Sequence, residues 1–173
     1  THHELATWLS FFLWASLPDA TLRQLADDGS LQDGNVLEQQ VRRMLQDSRG
    51  RRLAIEFGTQ WLEVRSFNQF QGKDEELFPA FNAPLRDAMY EESIRLFQDL
   101  FENDRTIWQL VDADHTFVND VLANHYGLPG VEGSNFRRVD RVQEQGRGGI
   151  LGLGSILSKH SSASRTSPVL RGN

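Results

Sequence analysis

The sequence predicts a mainly α fold, an irregular bundle of about eight helices with at most one short β-hairpin. Three observations carry this. Apolar residues recur at three- and four-residue intervals along most of the chain. Asp, Asn or Ser stands before several of these runs, where a helix N-cap belongs, and Gly or Pro closes them. Only residues 136–142 alternate apolar and basic side chains in the manner of a strand.

Leu5, Trp8, Leu9, Phe12 and Leu13 make the first helix strongly apolar, and Pro18 ends it. Asp19 caps a short second helix that Gly29 closes, and Asp33 caps a third, faced by Leu37, Val41, Met44 and Leu45. Ser48 is placed to cap a fourth, striped by Leu53, Phe57, Trp61 and Val64. Residues 65–82 lose the periodicity and read as a long surface loop, functional or partly disordered. Asn82, with Pro84 in the first turn, opens the clearest helix. Its stripe of Tyr90, Ile94, Phe97 and Phe101, widened by Met89, Leu96 and Leu100, suits a central position. Short helices are expected from Asp104 through Leu110 and over 116–126, the latter ended by Gly127 and Pro129. The strand 136–142 and a glycine turn come next, then a helix over 150–157 and a last helix opened by Ser167-Pro168.

The 173 residues suit one compact domain or two subdomains sharing a core. Cysteine is absent, which excludes thiolate zinc sites, iron–sulfur clusters and thioether-bound haem within this chain. The net charge of −6 is unevenly divided. Residues 134–173 carry seven basic and two acidic side chains, and residues 1–133 carry 11 and 22. Such asymmetry marks either an anion-binding end or an internal acid–base seam between the two parts. A net acidic chain argues against nucleic acid as a partner. The apolar run 5–14 is too short to span a bilayer, which takes about 20 residues. It also lacks the flanks of a signal peptide, so export would need a signal upstream of Thr1.

Standard catalytic motifs fail on spacing. The stretch Gly146-Arg147-Gly148-Gly149-Ile150-Leu151-Gly152 misses the dinucleotide and P-loop patterns. Its glycines serve either close backbone packing or anion binding. Ser155 lacks the second glycine of a nucleophile elbow, and His3-Glu4 lacks a second zinc histidine. His115 and His125 match no standard ligand spacing, so no metal site is expected. The polar chemistry concentrates near the C-terminus. Arg147, Arg165 and Arg171, with Gly148, Gly149, Thr166 and Ser167, can hold a carboxylate or phosphate by forked hydrogen bonds, or join an internal seam with Asp112 and Asp114. Asp114 and His125 are the candidate proton-transfer groups.

Several phrases carry a family resemblance. They include Leu9-Ser10-Phe11-Phe12-Leu13-Trp14, Gln40-Val41-Arg42-Arg43-Met44-Leu45, Gln60-Trp61-Leu62 and Asp112-Ala113-Asp114-His115-Thr116-Phe117-Val118-Asn119. Others are His125-Tyr126-Gly127, Arg147-Gly148-Gly149-Ile150-Leu151 and Arg165-Thr166-Ser167-Pro168-Val169-Leu170-Arg171-Gly172. Together they resemble two adjacent domains of unknown function in large secreted proteins described as planctomycete-specific and cytochrome-c-associated. The resemblance implies a division into 1–105 and 106–173, the second part continuing beyond Gly172 in the family. His115 stands where that pattern usually has Tyr. The resemblance also implies an extracytoplasmic, multidomain protein, with haem c in a neighbouring module and no cofactor in this chain. Two functional expectations result. One is a non-catalytic helical scaffold or interaction module whose partners are other domains of the same polypeptide, a cytochrome c module among them. The other is part of a redox enzyme with an arginine-rich anionic-substrate cleft between the halves.

Overall fold

The computed structural model describes residues 1–167 and Val169. The fold is mainly α with one short antiparallel strand pair. Helix α1 (His2–Trp14) starts in a capping box in which Thr1 and Glu4 bond reciprocally. Asp19 caps α2 (Ala20–Asp27) and Asp33 caps α3 (Gly34–Gln46), both as the sequence predicts. These elements enclose a first hydrophobic cluster containing Leu9, Leu13, Trp14, Leu22, Leu31, Met44 and Leu53. At its centre Trp14 donates its indole N–H to the Met44 carbonyl at 2.8 Å. The Arg49 guanidinium covers the Trp14 ring at 3.4 Å.

The next segment departs from the expected stripe. Asp47, not Ser48, accepts the capping N–H, from Arg49. Then α4 (Arg51–Leu53), a π-helical turn (Ala54–Gly58) and α5 (Thr59–Trp61) run on directly. The wider π turn inserts a residue into the helical repeat and rotates the residues after it. Gly58, Thr59 and Leu62 therefore turn inward and Phe57 and Trp61 are exposed, while Leu53 and Val64 of the expected stripe are buried. The two exposed rings rest on Phe101 and Phe97.

Residues 65–82 form an ordered connection. Phe67 is buried, and its ring packs with Phe70 and Phe81 in a three-ring group. Asn82 caps α6 (Ala83–Glu102), which has Pro in its first turn and is the central helix of a second cluster. That cluster spans Ala54 to Ile156 and includes Leu85, Met89, Ile94, Phe97, Val118, Leu122 and Leu153. The two clusters thus meet near residues 53 and 54, and α6 shares one core with the C-terminal elements.

Helix α7 (Trp108–Val111) starts later than expected from Asp104, which instead adopts a left-handed φ of 48°. The expected helix 116–126 divides. Its first part is β1 (His115–Val118), and Asn119 caps α8 (Asp120–Tyr126). Thr116, Phe117 and Val118 favour extended backbone, and β2 (Arg137–Asp140) supplies the pairing partner. Thr116 lies opposite Val139 in an antiparallel register, so 136–142 is not the only strand-forming segment. The apolar run 150–157 likewise divides, into a 3₁₀ turn (Ile150–Gly152) and α9 (Gly154–Lys159). The helix expected from Pro168 onward falls, Val169 apart, outside the described residues.

Candidate functional site

The most unusual chemistry lies where α6 meets the C-terminal elements. Leu85, Met89, Glu92, Leu96 and Leu100 share one face of α6, and that face is buried. It places the Glu92 carboxylate inside the core at 1% exposure. Thr116 Oγ1 on β1 donates to Glu92 Oε1 at 2.5 Å. The Tyr126 hydroxyl on α8 donates to Glu92 Oε2 at 2.7 Å, and itself accepts from the Gly154 N–H at 2.9 Å. Ser93 and Ser155 join their hydroxyls at 2.7 Å alongside. Burial pushes the Glu92 carboxyl up to about 7, against the opposing pull of Thr116, Tyr126 and the nearby Arg147 charge. Burial also raises the Tyr126 phenol well above its ordinary value, so it remains a donor.

Arg147 lies over the Tyr126 ring at 3.4 Å, and it makes no ion pair among the described residues. Gly148 and Gly149 pack against α7 and its end. A Cβ on Gly148 would stand 2.8 Å from the Ala113 carbonyl, and one on Gly149 would collide with the Val111 carbonyl. The Gly149 N–H already donates to Ala113, so these glycines provide close packing. Gly154 does the same beneath Tyr126: a Cβ there would lie 2.6 Å from the phenol oxygen.

The other expected site residues do not all gather here. Asp114 is exposed and structural. Its carboxylate accepts the Gln143 N–H at 2.9 Å and its carbonyl accepts the Arg141 N–H at 2.8 Å. Asp112 is held by the Gln143 side chain, so neither aspartate receives an arginine among the described residues. His125, Arg165 and Thr166 do come together, lining a pocket of about 540 Å³. Partial covering of the His125 ring, then the Arg147 charge, lowers its pKa. Ser167 closes the described segment, and Arg171 lies outside it.

The expected acid–base seam takes another form. Among the described C-terminal basic residues, Arg138 makes ion pairs, to Asp140 at 2.8 Å and Asp99 at 3.7 Å. Asp99 also receives Arg105 at 2.6 Å and buried His115 at 3.0 Å. Burial and the Arg138 charge lower the His115 pKa, against the pull of Asp99. Thus the halves meet through one shared apolar cluster, through Asp99 with Arg138 and His115, and through the neutral hydroxyl donors on Glu92. The legible signal was a glutamate within the apolar stripe of α6, four residues before Leu96 and three after Met89. Among the described residues no group of three His, Asp or Glu could hold a metal ion, and no helix is long and apolar enough to cross a membrane.

A family model described as PSD4, protein of unknown function (DUF1592), matches residues 1–128. No curated protein and no solved structure matches the chain. The family match covers the first cluster, α6 and the Glu92 donors Thr116 and Tyr126. The chain therefore belongs to this DUF1592 family of unknown function.

Proposed function

We propose that the chain is a non-catalytic helical scaffold or interaction module of a multidomain, extracytoplasmic, cytochrome-c-associated protein. The observation that carries the reading is the outer face of α1. Ala6, Leu9, Leu13 and Trp14 bury one side of that helix. Trp8, Phe11 and Phe12 remain 64%, 52% and 50% exposed on it, with Trp8 and Phe12 stacked at 5.3 Å. A helix apolar around most of its circumference ordinarily has neighbours on more than one side. Clustered exposed aromatics mark an interaction surface. The proposed occupant is a neighbouring module of the same polypeptide, a haem-bearing one fitting the family resemblance.

Hydrogen exchange tests this directly. In the full-length polypeptide, α1 amides and the Trp8 side chain should be protected relative to the isolated chain. Trp8→Ser with Phe12→Ser should remove the added protection without unfolding either protein. Equal exposure of α1 in both proteins would overturn the reading.

A second reading, an anionic-substrate cleft of a redox enzyme, draws on His125, Arg165 and Thr166 sharing one pocket. It requires turnover that depends on these residues. An Arg165→Gln variant of the full-length protein with unchanged turnover would remove it.

A further inference from the structure

The pocket under the 73–81 segment combines an apolar floor with charge at its mouth. Phe81, Met89 and Leu157 supply apolar surface, and His125, Arg165 and Thr166 stand on the same wall set. At about 540 Å³ it falls within the size range of small-molecule sites, roughly 300–1,000 Å³. Its two sides are tied together. Lys73 Nζ donates to Ser161 Oγ at 2.5 Å and to the Ser162 carbonyl at 2.7 Å, and the Asp74 N–H donates to Ala163 at 3.1 Å. Arg165 and Thr166 are exposed where they line the pocket, and among the described residues no carboxylate pairs with Arg165. The acidic neighbours Asp74, Glu75 and Glu76 lie on the same segment but do not line the pocket. A guanidinium with no acidic partner among the described residues and a hydroxyl beside an apolar cavity form a receptor for an anion with an apolar tail.

We infer that this pocket binds a small organic carboxylate, its tail on Phe81, Met89 and Leu157 and its carboxylate on Arg165 and Thr166. The inference rests on the cleft reading only for the shared location of Arg165, Thr166 and His125. It claims binding and no redox step, and it leaves Arg147, Gly148 and Gly149 to packing.

Calorimetric titration of the 173-residue chain with decanoate, decanamide and acetate tests it. Decanoate should bind saturably and more tightly than acetate. Arg165→Gln should weaken decanoate roughly tenfold and leave decanamide unchanged, as loss of one charge-assisted contact requires. Phe78→Ser, at an exposed lining position, should weaken decanoate and decanamide alike. Decanoate binding that ignores Arg165→Gln overturns the carboxylate assignment. Decanoate no tighter than acetate overturns the apolar tail, and no saturable binding overturns the site. Decanoate binding lost in Arg165→Gln, with turnover of the full-length protein unchanged by the same substitution, would sustain the inference while removing the enzymatic reading.

Discussion

The first hydrophobic cluster and the α6 junction handle charge in opposite ways. Around Trp14, charges are paired at the edge. Arg43 meets Asp19 at 2.8 Å, and Arg49 meets Asp47 at 2.8 Å while covering the indole. Burial works against ionisation of Asp19, yet Arg43 and the Leu22 N–H hold its pKa below the ordinary value. Arg49 and its own backbone N–H hold Asp47 below the usual carboxylate range. At the α6 junction the carboxylate of Glu92 is inside, its donors are neutral hydroxyls, and its cation stacks on a ring instead of pairing. A half-exposed carboxylate with a guanidinium stays charged, whereas a buried one with neutral donors retains its proton to near neutrality. The first arrangement stabilises a fold across most pH values. The second makes one junction sensitive to pH.

The largest expected effect strikes the first cluster. Trp14→Ala removes a buried ring, its hydrogen bond to Met44 and the platform under Arg49. It should cost about 3–5 kcal/mol in urea unfolding. A cost near that of a surface substitution would mean that the first cluster does not depend on this ring.

The next effect belongs to the junction. Glu92 ionises at about 7 when folded, against 4.5 without the fold. The folded state therefore holds this proton more tightly. The associated stability is fully present below pH 4.5, declines as pH rises toward 7, and levels off above it. The loss is on the order of 3 kcal/mol. Glu92→Gln should abolish that component, read as the difference between wild-type and variant unfolding curves across the interval. Subtraction removes the slopes of Asp19 and Asp47, which both proteins share. Parallel curves would show that Glu92 does not titrate in this window.

Gly154→Ala probes the same junction sterically, because its Cβ would meet the Tyr126 oxygen at 2.6 Å and Met89 at 2.9 Å. Overpacking there should cost about 1–3 kcal/mol and weaken the protection of the Gly154 amide in hydrogen exchange. The smallest pair contrasts the arginines themselves. Arg43→Gln should cost about 1 kcal/mol, diminishing in high salt. Arg141→Gln, which removes no ion pair among the described residues, should leave thermal stability unchanged. Equal losses for the two would erase the contrast between the regions.

Much of the fold is legible in the sequence because caps and stripes are local. Asp19, Asp33 and Asn82 open helices where short polar side chains precede apolar runs, and Gly127 ends α8 in the left-handed conformation its position requires. Expectation and structure part where a distant partner decides. Residues 116–118 suit either backbone until β2 supplies hydrogen bonds, and the stripe through Phe57 and Trp61 holds only without the π turn. The candidate residues show the same division. Arg165, Thr166 and His125 converge, while Asp114 holds a turn.

Local sequence was enough for a mainly α chain, its helix starts, the central place of α6 and the concentration of basic residues near its end. Each of these rests on periodicity, capping or composition, which act over a few residues. Three outcomes instead required the assembled fold: Glu92 is buried with neutral donors, Arg147 stacks on Tyr126, and Arg165 lines a pocket with no acidic partner among the described residues. They depend on side chains brought together from segments far apart in sequence, and on burial, which no local pattern sets.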